Sequence, residues 1–126
     1  MSLFNRMEVV SYNVTNWQRA VKFYSETLGL PVTWSSEEAG WAQFGRDGET
    51  QIAINLWRGP DPVPSREGGA TVIFAVDDAR KTVVELRKRG VKCDDAVEIP
   101  GMVTYATFFD PEGNRIQIAQ SPQAAG

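Results

Sequence analysis

The chain contains no histidine. That absence excludes Ser-His-Asp and Cys-His nucleophilic catalysis. It also excludes zinc and iron sites that depend on imidazole. A metal would have to be held by oxygen ligands alone, and a proton would have to move through a carboxylate, Lys, Tyr or Cys. Cysteine occurs once, at Cys93, so an internal disulfide is impossible and a reducing cytoplasm is the expected setting. With no imidazole to activate it, the Cys93 thiol reads as a bystander between Lys92 and Asp94-Asp95. No apolar run reaches the roughly 18 residues of a membrane helix, and the first residues lack signal-peptide anatomy. A basic excess is also missing: the net charge of -3 argues against a nucleic-acid partner. Neither a membrane nor a nucleic acid is therefore expected as a partner.

With 126 residues, 42% of them hydrophobic, the chain is long enough to bury a core as one domain. Glu8 to Val14 reads as a first strand, and Thr15-Asn16 offers N-cap chemistry. Helix 1 is predicted over Trp17 to Leu28, with an apolar stripe of Trp17, Ala20, Val21, Tyr24 and Leu28. Gly29 and Pro31 stop it. Val32 to Ser35, Gly40 to Phe44 and Gln51 to Trp57 read as three strands. A proline-bearing linker over 58–69 favours an extended spacer.

The pattern then begins again. Ala70 to Val76 reads as a strand, and Asp77-Asp78 caps a helix over Ala79 to Arg89 with the stripe Ala79, Thr82, Val83 and Leu86. The cations late in that helix read as a solvated face that suits the macrodipole. Val91 to Cys93 and Val103 to Phe109 are further strand candidates. Asp110-Pro111-Glu112-Gly113-Asn114 is a turn, because Pro presets φ, Gly supplies φ > 0 and Asp and Asn bond local backbone. Arg115 to Ala119 alternates polar and apolar, as a half-buried strand does. The residues from Ser121 on read as a frayed tail.

Both halves thus read strand, helix, strand, strand, strand. Val14 and Val76, each just before a helix cap, stand 62 residues apart, and so do Asn55 and Gln117 in the last strands. The expectation is an internal repeat in the α+β class: two tandem βαβββ modules, about 7–57 and 70–120, forming a curved mixed sheet with a concave cavity. One helix per module lies outside.

This pattern resembles the vicinal oxygen chelate superfamily, which includes glyoxalase I, extradiol dioxygenases and the fosfomycin- and bleomycin-resistance proteins. The residues that carry the resemblance are Phe23-Tyr24 with Leu28-Gly29-Leu30, Val76-Asp77, and Asp110 to Asn114. In glyoxalase-like members, metal ligands come from the first and last strand of each module. Carried onto this chain, those positions fall at Val9, Asn55, Thr71 and Gln117, none of them ionisable. Each pair is separated by 46 residues. Neutral amides and a hydroxyl compete poorly for a divalent cation without a carboxylate, so no metal cofactor is expected.

Strand alternation assigns the cavity face to Val9, Ser11, Asn13, Gln51, Ala53, Asn55, Trp57, Thr71, Ile73, Ala75, Arg115, Gln117 and Ala119. Ile52, Ile54, Leu56, Ile116 and Ile118 then face the helices. Glu98 or Glu49 is expected at the rim. Asn55 and Gln117 either orient a ligand or bond each other or water. Trp41 and Trp57 read as stacking walls, Trp17 as core, and Tyr105 as a phenol able to reach the cavity. The candidate ligand-binding set is Asn13, Trp41, Asn55, Trp57, Thr71, Tyr105, Arg115 and Gln117. Two functions suit it: a metal-independent protein that sequesters a planar or cationic small molecule, or a glyoxalase-like lyase or isomerase. A homodimer is expected, since small homo-oligomers usually have two-fold symmetry and related proteins pair modules.

Overall fold

The structure is a computed structural model that describes residues 3, 5–60, 62–63 and 70–122. Part of the expected linker (61 and 64–69) and of the tail (123–126) lies outside the described residues. The chain divides into two compact units, Met1–Ser65 and Arg66–Gly126.

In the first unit, β1 (Val9–Val14) leads to α1 (Trp17–Lys22), then β2 (Val32–Ser36), β3 (Trp41–Phe44) and β4 (Gln51–Leu56). The sheet order is β1-β4-β3-β2, with β1 parallel to β4 and the other pairs antiparallel. Asn16 caps α1, its side chain accepting from Arg19 N at 3.0 Å. The helix does not stay α-helical to Leu28 as the periodicity predicts. Phe23–Thr27 continues as a π-helix, closed by Leu28 N donating to Phe23 O at 2.9 Å. Two consecutive rings at its start, Phe23 and Tyr24, are buried. Those rings meet edge to face at 5.2 Å, and Tyr24 stacks on Phe44 at 5.5 Å. Ile52, Ile54, Tyr12 and Val14 complete this core.

The second unit repeats the plan with β5 (Val72–Ala75), α2 (Ala79–Lys88), β6 (Lys92–Cys93), β7 (Val97–Ile99), β8 (Val103–Phe109) and β9 (Arg115–Gln120). Its sheet runs β5-β9-β8, with β6 and β7 both paired to β8. Asp78 caps α2 by accepting from Lys81 N at 3.0 Å, 62 residues after the Asn16 cap. The predicted stripe faces inward, with Ala79, Val83 and Leu86 buried beside Phe108, Ile116 and Ile118 in the same core.

Strand β7 is absent from the sequence reading. It is the outer half of one edge strand that a β-bulge breaks in two. Cys93 pairs with Phe108 and Val97 with Tyr105, so four steps on the edge match three on β8. The edge strand of the first unit carries the same irregularity: Val32 pairs with Phe44 and Trp34 with Gln43.

Candidate functional site

Each sheet has one face covered by its own helix and one face carrying polar and aromatic side chains. In the first unit the polar face is organised around Asn55. Asn13, Asn55 and Trp41 occupy one row, because β1 pairs Asn13 with Asn55 and β3 pairs Trp41 with Asn55. Asn55 Nδ2 donates to Asn13 Oδ1 at 3.2 Å. Beside this row runs a chain that sequence reading missed. Trp41 Nε1 donates to Gln43 Oε1 at 2.9 Å, and Gln43 Nε2 donates to Gln51 Oε1 at 3.0 Å. Thr33, the bulged residue of β2, also donates its hydroxyl to Gln51 Oε1. Gln51 itself is buried. The Trp41 indole is therefore tethered in one orientation, which is what a stacking wall requires. The alternation of Gln43 and Gln51 with apolar residues was the available signal, and their role as tethers follows from the pairing register.

Trp57 follows the end of β4, half-buried, with its N–H donating to Val14 O at 2.8 Å. Trp34 is 51% exposed and so is not part of the core. Trp17 is only half-buried, and its indole N–H is enclosed without a partner among the described residues.

The second unit holds a concavity of about 520 Å³, lined by Asp94, Tyr105, Thr107, Phe109, Arg115 and Gln117, with Gly113 of the turn at one end. Three expected site residues, Tyr105, Arg115 and Gln117, are brought together here. Thr71 stands beside them, its hydroxyl accepting from Arg115 Nε at 3.0 Å. Gln117 Nε2 donates to Thr107 Oγ1 at 3.1 Å. Lys92 places its Nζ 5.3 Å from the centre of the Phe109 ring, a cation–π contact that steadies the aromatic part of the wall. Thr107, Phe109 and Asp94 were missed. The first two are legible only once β8 is known to present Tyr105, Thr107 and Phe109 on one face while Ala106 and Phe108 are buried on the other.

Glu98 is not at this rim. The bulge sets it opposite Thr104, and its carboxylate lies 3.8 Å from Arg80 of α2.

The equal 46-residue spacings between Val9 and Asn55 and between Thr71 and Gln117 do not correspond to equal geometry. β1 pairs Val9 with Gln51, four residues short of Asn55, or about 13 Å along the strand. β5 pairs Ile73 with Gln117, so Thr71 falls two residues short, or about 7 Å. The repeat is offset by two residues between its first strands, and side-chain identity alone gives no sign of that.

Cys93 is partly enclosed, and burial raises its thiol pKa, with the nearby Arg87 charge pulling the other way. The thiolate is the reactive form. Alkylation by iodoacetamide at pH 7 is expected to run several-fold slower than for a free cysteine, with the gap closing as pH rises through 9 and above. Equal rates at pH 7 would show a thiol that burial does not restrain.

The family model described as Glyoxalase/Bleomycin resistance protein/Dioxygenase superfamily matches residues 6–118. The chain belongs to that superfamily. Among curated relatives, the superfamily member is 34% identical over 119 residues to the uncharacterized protein YraH of Bacillus subtilis strain 168, covering 83% of this chain and 90% of YraH. Among solved structures, it is similar to TnmS3, an antibiotic binding protein from Streptomyces sp. CB03234. The TM-score is 0.78 with 25% identity, over 97% of this chain and all (100%) of TnmS3. A glyoxalase/bleomycin resistance protein from the same Streptomyces matches with a TM-score of 0.70 and 26% identity, over 91% of this chain and 100% of that one. The α+β architecture of paired βαβββ units is the glyoxalase fold. Among the described residues, no helix is long and apolar enough to cross a membrane.

Proposed function

We propose that this superfamily member is a metal-independent binding protein that sequesters a planar or cationic small molecule. The observation that carries this reading is the chemistry of the four positions at which metal-dependent relatives place ligands. Val9 has no donor atom. Asn55, Thr71 and Gln117 are neutral and already bonded to sheet neighbours, to Asn13, Arg115 and Thr107 respectively. A divalent cation would have to displace those bonds with no carboxylate to favour it. A tethered indole in one unit and a concavity with aromatic walls and a few orienting polar groups in the other suit ligand capture. The likeness to an antibiotic binding protein supports the same direction. The setting that fits is the cytoplasm, and the assembly that fits is a homodimer, as the small size and family membership suggest.

A thermal-shift screen tests this directly, since a ligand that binds only the native state raises the melting temperature by mass action. Zn²⁺, Ni²⁺, Mn²⁺ and Fe²⁺ are expected to leave it unchanged. A planar cationic antibiotic at a hundred times its Kd is expected to add roughly 2.7 kcal/mol, or roughly 5–10 °C. A metal-induced shift abolished by Gln117→Leu would instead place a cation at the strand centres and bring glyoxalase-like lyase or isomerase chemistry forward.

A further inference from the structure

The concavity of the second unit carries an acidic group, Asp94, whose carboxylate makes no direct contact with another side chain among the described residues. Asp94 and Asp95 are consecutive acids at the bulge between β6 and β7, and strand alternation sends them to opposite faces. Asp95 is spent on the helix side, where Oδ1 accepts from Arg87 Nη2 at 2.8 Å. The same guanidinium donates to Cys93 O through Nε at 3.2 Å and Nη2 at 2.9 Å. The bulge is thereby pinned from α2. Asp94 is held by its backbone, its N–H donating to Thr107 O at 2.8 Å. Asp94 lines the concavity, alternation from Cys93 sets its side chain on that face, and among the described residues its carboxylate makes no hydrogen bond or ion pair, the Arg87 charge acting on it only at longer range. A carboxylate without a direct partner, on a backbone anchored beside an aromatic-walled concavity, is a recognition element for a cation.

The opposite end of the same surface has the complementary character. Asp94 lies beside Thr107 on β8, Thr107 pairs with Gln117 on β9, and Arg115 is two residues along that strand. Two strand spacings separate Asp94 from the β9 residues, about 10 Å, which is the scale of a fused tricyclic ring system. With Gln117 Nε2 bonded to Thr107 Oγ1, Gln117 Oε1 remains to accept and the Thr107 hydroxyl remains to donate.

We propose that Asp94 is the charge-selecting residue of this site, taking the protonated amine of a planar ligand whose far edge presents a carbonyl or similar acceptor toward Arg115. This rests on the binding reading above and adds the sign and placement of the ligand's charge. It also distinguishes Asp94 from Glu98, which carries the same charge on the other face of the sheet against Arg80.

The test is a pair of fluorescence titrations of the full chain, with proflavine as a cationic tricycle and acridone as a neutral tricycle bearing a carbonyl. Proflavine is expected to bind the wild type more tightly than acridone. Asp94→Asn should weaken proflavine roughly tenfold, as removal of one charge-assisted contact does, and move acridone by less than about twofold. Glu98→Gln should leave both unchanged. Added salt should weaken proflavine in the wild type and have little effect in Asp94→Asn. If both probes bind and Asp94→Asn leaves proflavine unchanged, or weakens both probes equally, charge selection by Asp94 is overturned while sequestration stands. If neither probe binds the wild type, the binding reading falls and this proposal falls with it.

Discussion

Asp110→Ala is expected to destabilise the protein by about 3 kcal/mol. Asp110 is only 5% exposed. Its Oδ1 accepts from Glu112 N at 2.9 Å and Asn114 N at 2.8 Å, and its Oδ2 accepts from Asn114 Nδ2 at 2.8 Å. Asn114 is buried as well. Truncation to Ala therefore removes three charge-assisted bonds and leaves enclosed donors without an acceptor, each costing about 1–3 kcal/mol before the loop relaxes. The turn that Asp110 closes feeds directly into Arg115 and Gln117, so loss of the turn also loosens the concavity. Urea unfolding of the wild type, Asp110→Asn and Asp110→Ala checks this. Asp110→Asn keeps one acceptor oxygen but turns an amide against a donor, so it should fall between the other two. A midpoint shift worth under about 1 kcal/mol for Asp110→Ala would show that the turn is held by its Pro and Gly rather than by the carboxylate.

Gly40→Ala is the second large effect. Gly40 sits between β2 and β3 with φ +68, and a Cβ there would stand 2.8 Å from Leu56 Cβ and 3.1 Å from Arg58 Nη2. Leu56 Cβ is fixed to a paired strand and cannot swing aside. Arg58 is held too, its Nη2 donating to Glu37 O at 3.3 Å and Glu38 O at 2.8 Å. Left-handed strain of about 1–2 kcal/mol adds to an overpacking cost of about 1–3 kcal/mol. Gly48 provides the internal comparison: φ is +84 there, but nothing lies within 4 Å of an added Cβ. Gly48→Ala should thus show the backbone strain alone, and the difference between the two melting temperatures isolates the clash. Equal losses would mean that the β2–β3 turn yields to admit the methyl group. Trp41 follows Gly40 immediately, so a displaced turn should also alter tryptophan fluorescence.

The sequence shows the parts of this fold whose cause is local. The two helix caps, Asn16 and Asp78, the Asp110-to-Asn114 turn and the inward stripe of α2 each follow from side chains bonding or packing within a few residues. What stays hidden has a non-local cause. The π-helical turn at Phe23–Thr27 accompanies the burial of Phe23 and the stacking of Tyr24 on Phe44 of β3, and no residue in the turn announces it. The bulges at Thr33 and after Asp94 appear only when the edge strands are paired with β3 and β8. The second of them turns Glu98 away from the concavity, while Asp94, just before it, keeps the register of Cys93. Alternation correctly places Asn13, Asn55, Arg115 and Gln117 on the faces away from the helices, yet it cannot show that β5 pairs two residues out of step with β1.

Those bulges also bear on how the molecule behaves in company. A regular edge strand offers an evenly spaced row of N–H and C=O groups that another chain can extend, which is how stacked fibrils grow. Here each sheet ends on one side in a strand with an extra residue inserted part-way, so the spacing of its outward groups breaks where an incoming strand would need continuity. The irregularity that turns Glu98 away from the concavity thus also makes these edges poor templates for further strands, which favours staying dispersed at high concentration over growth by edge addition.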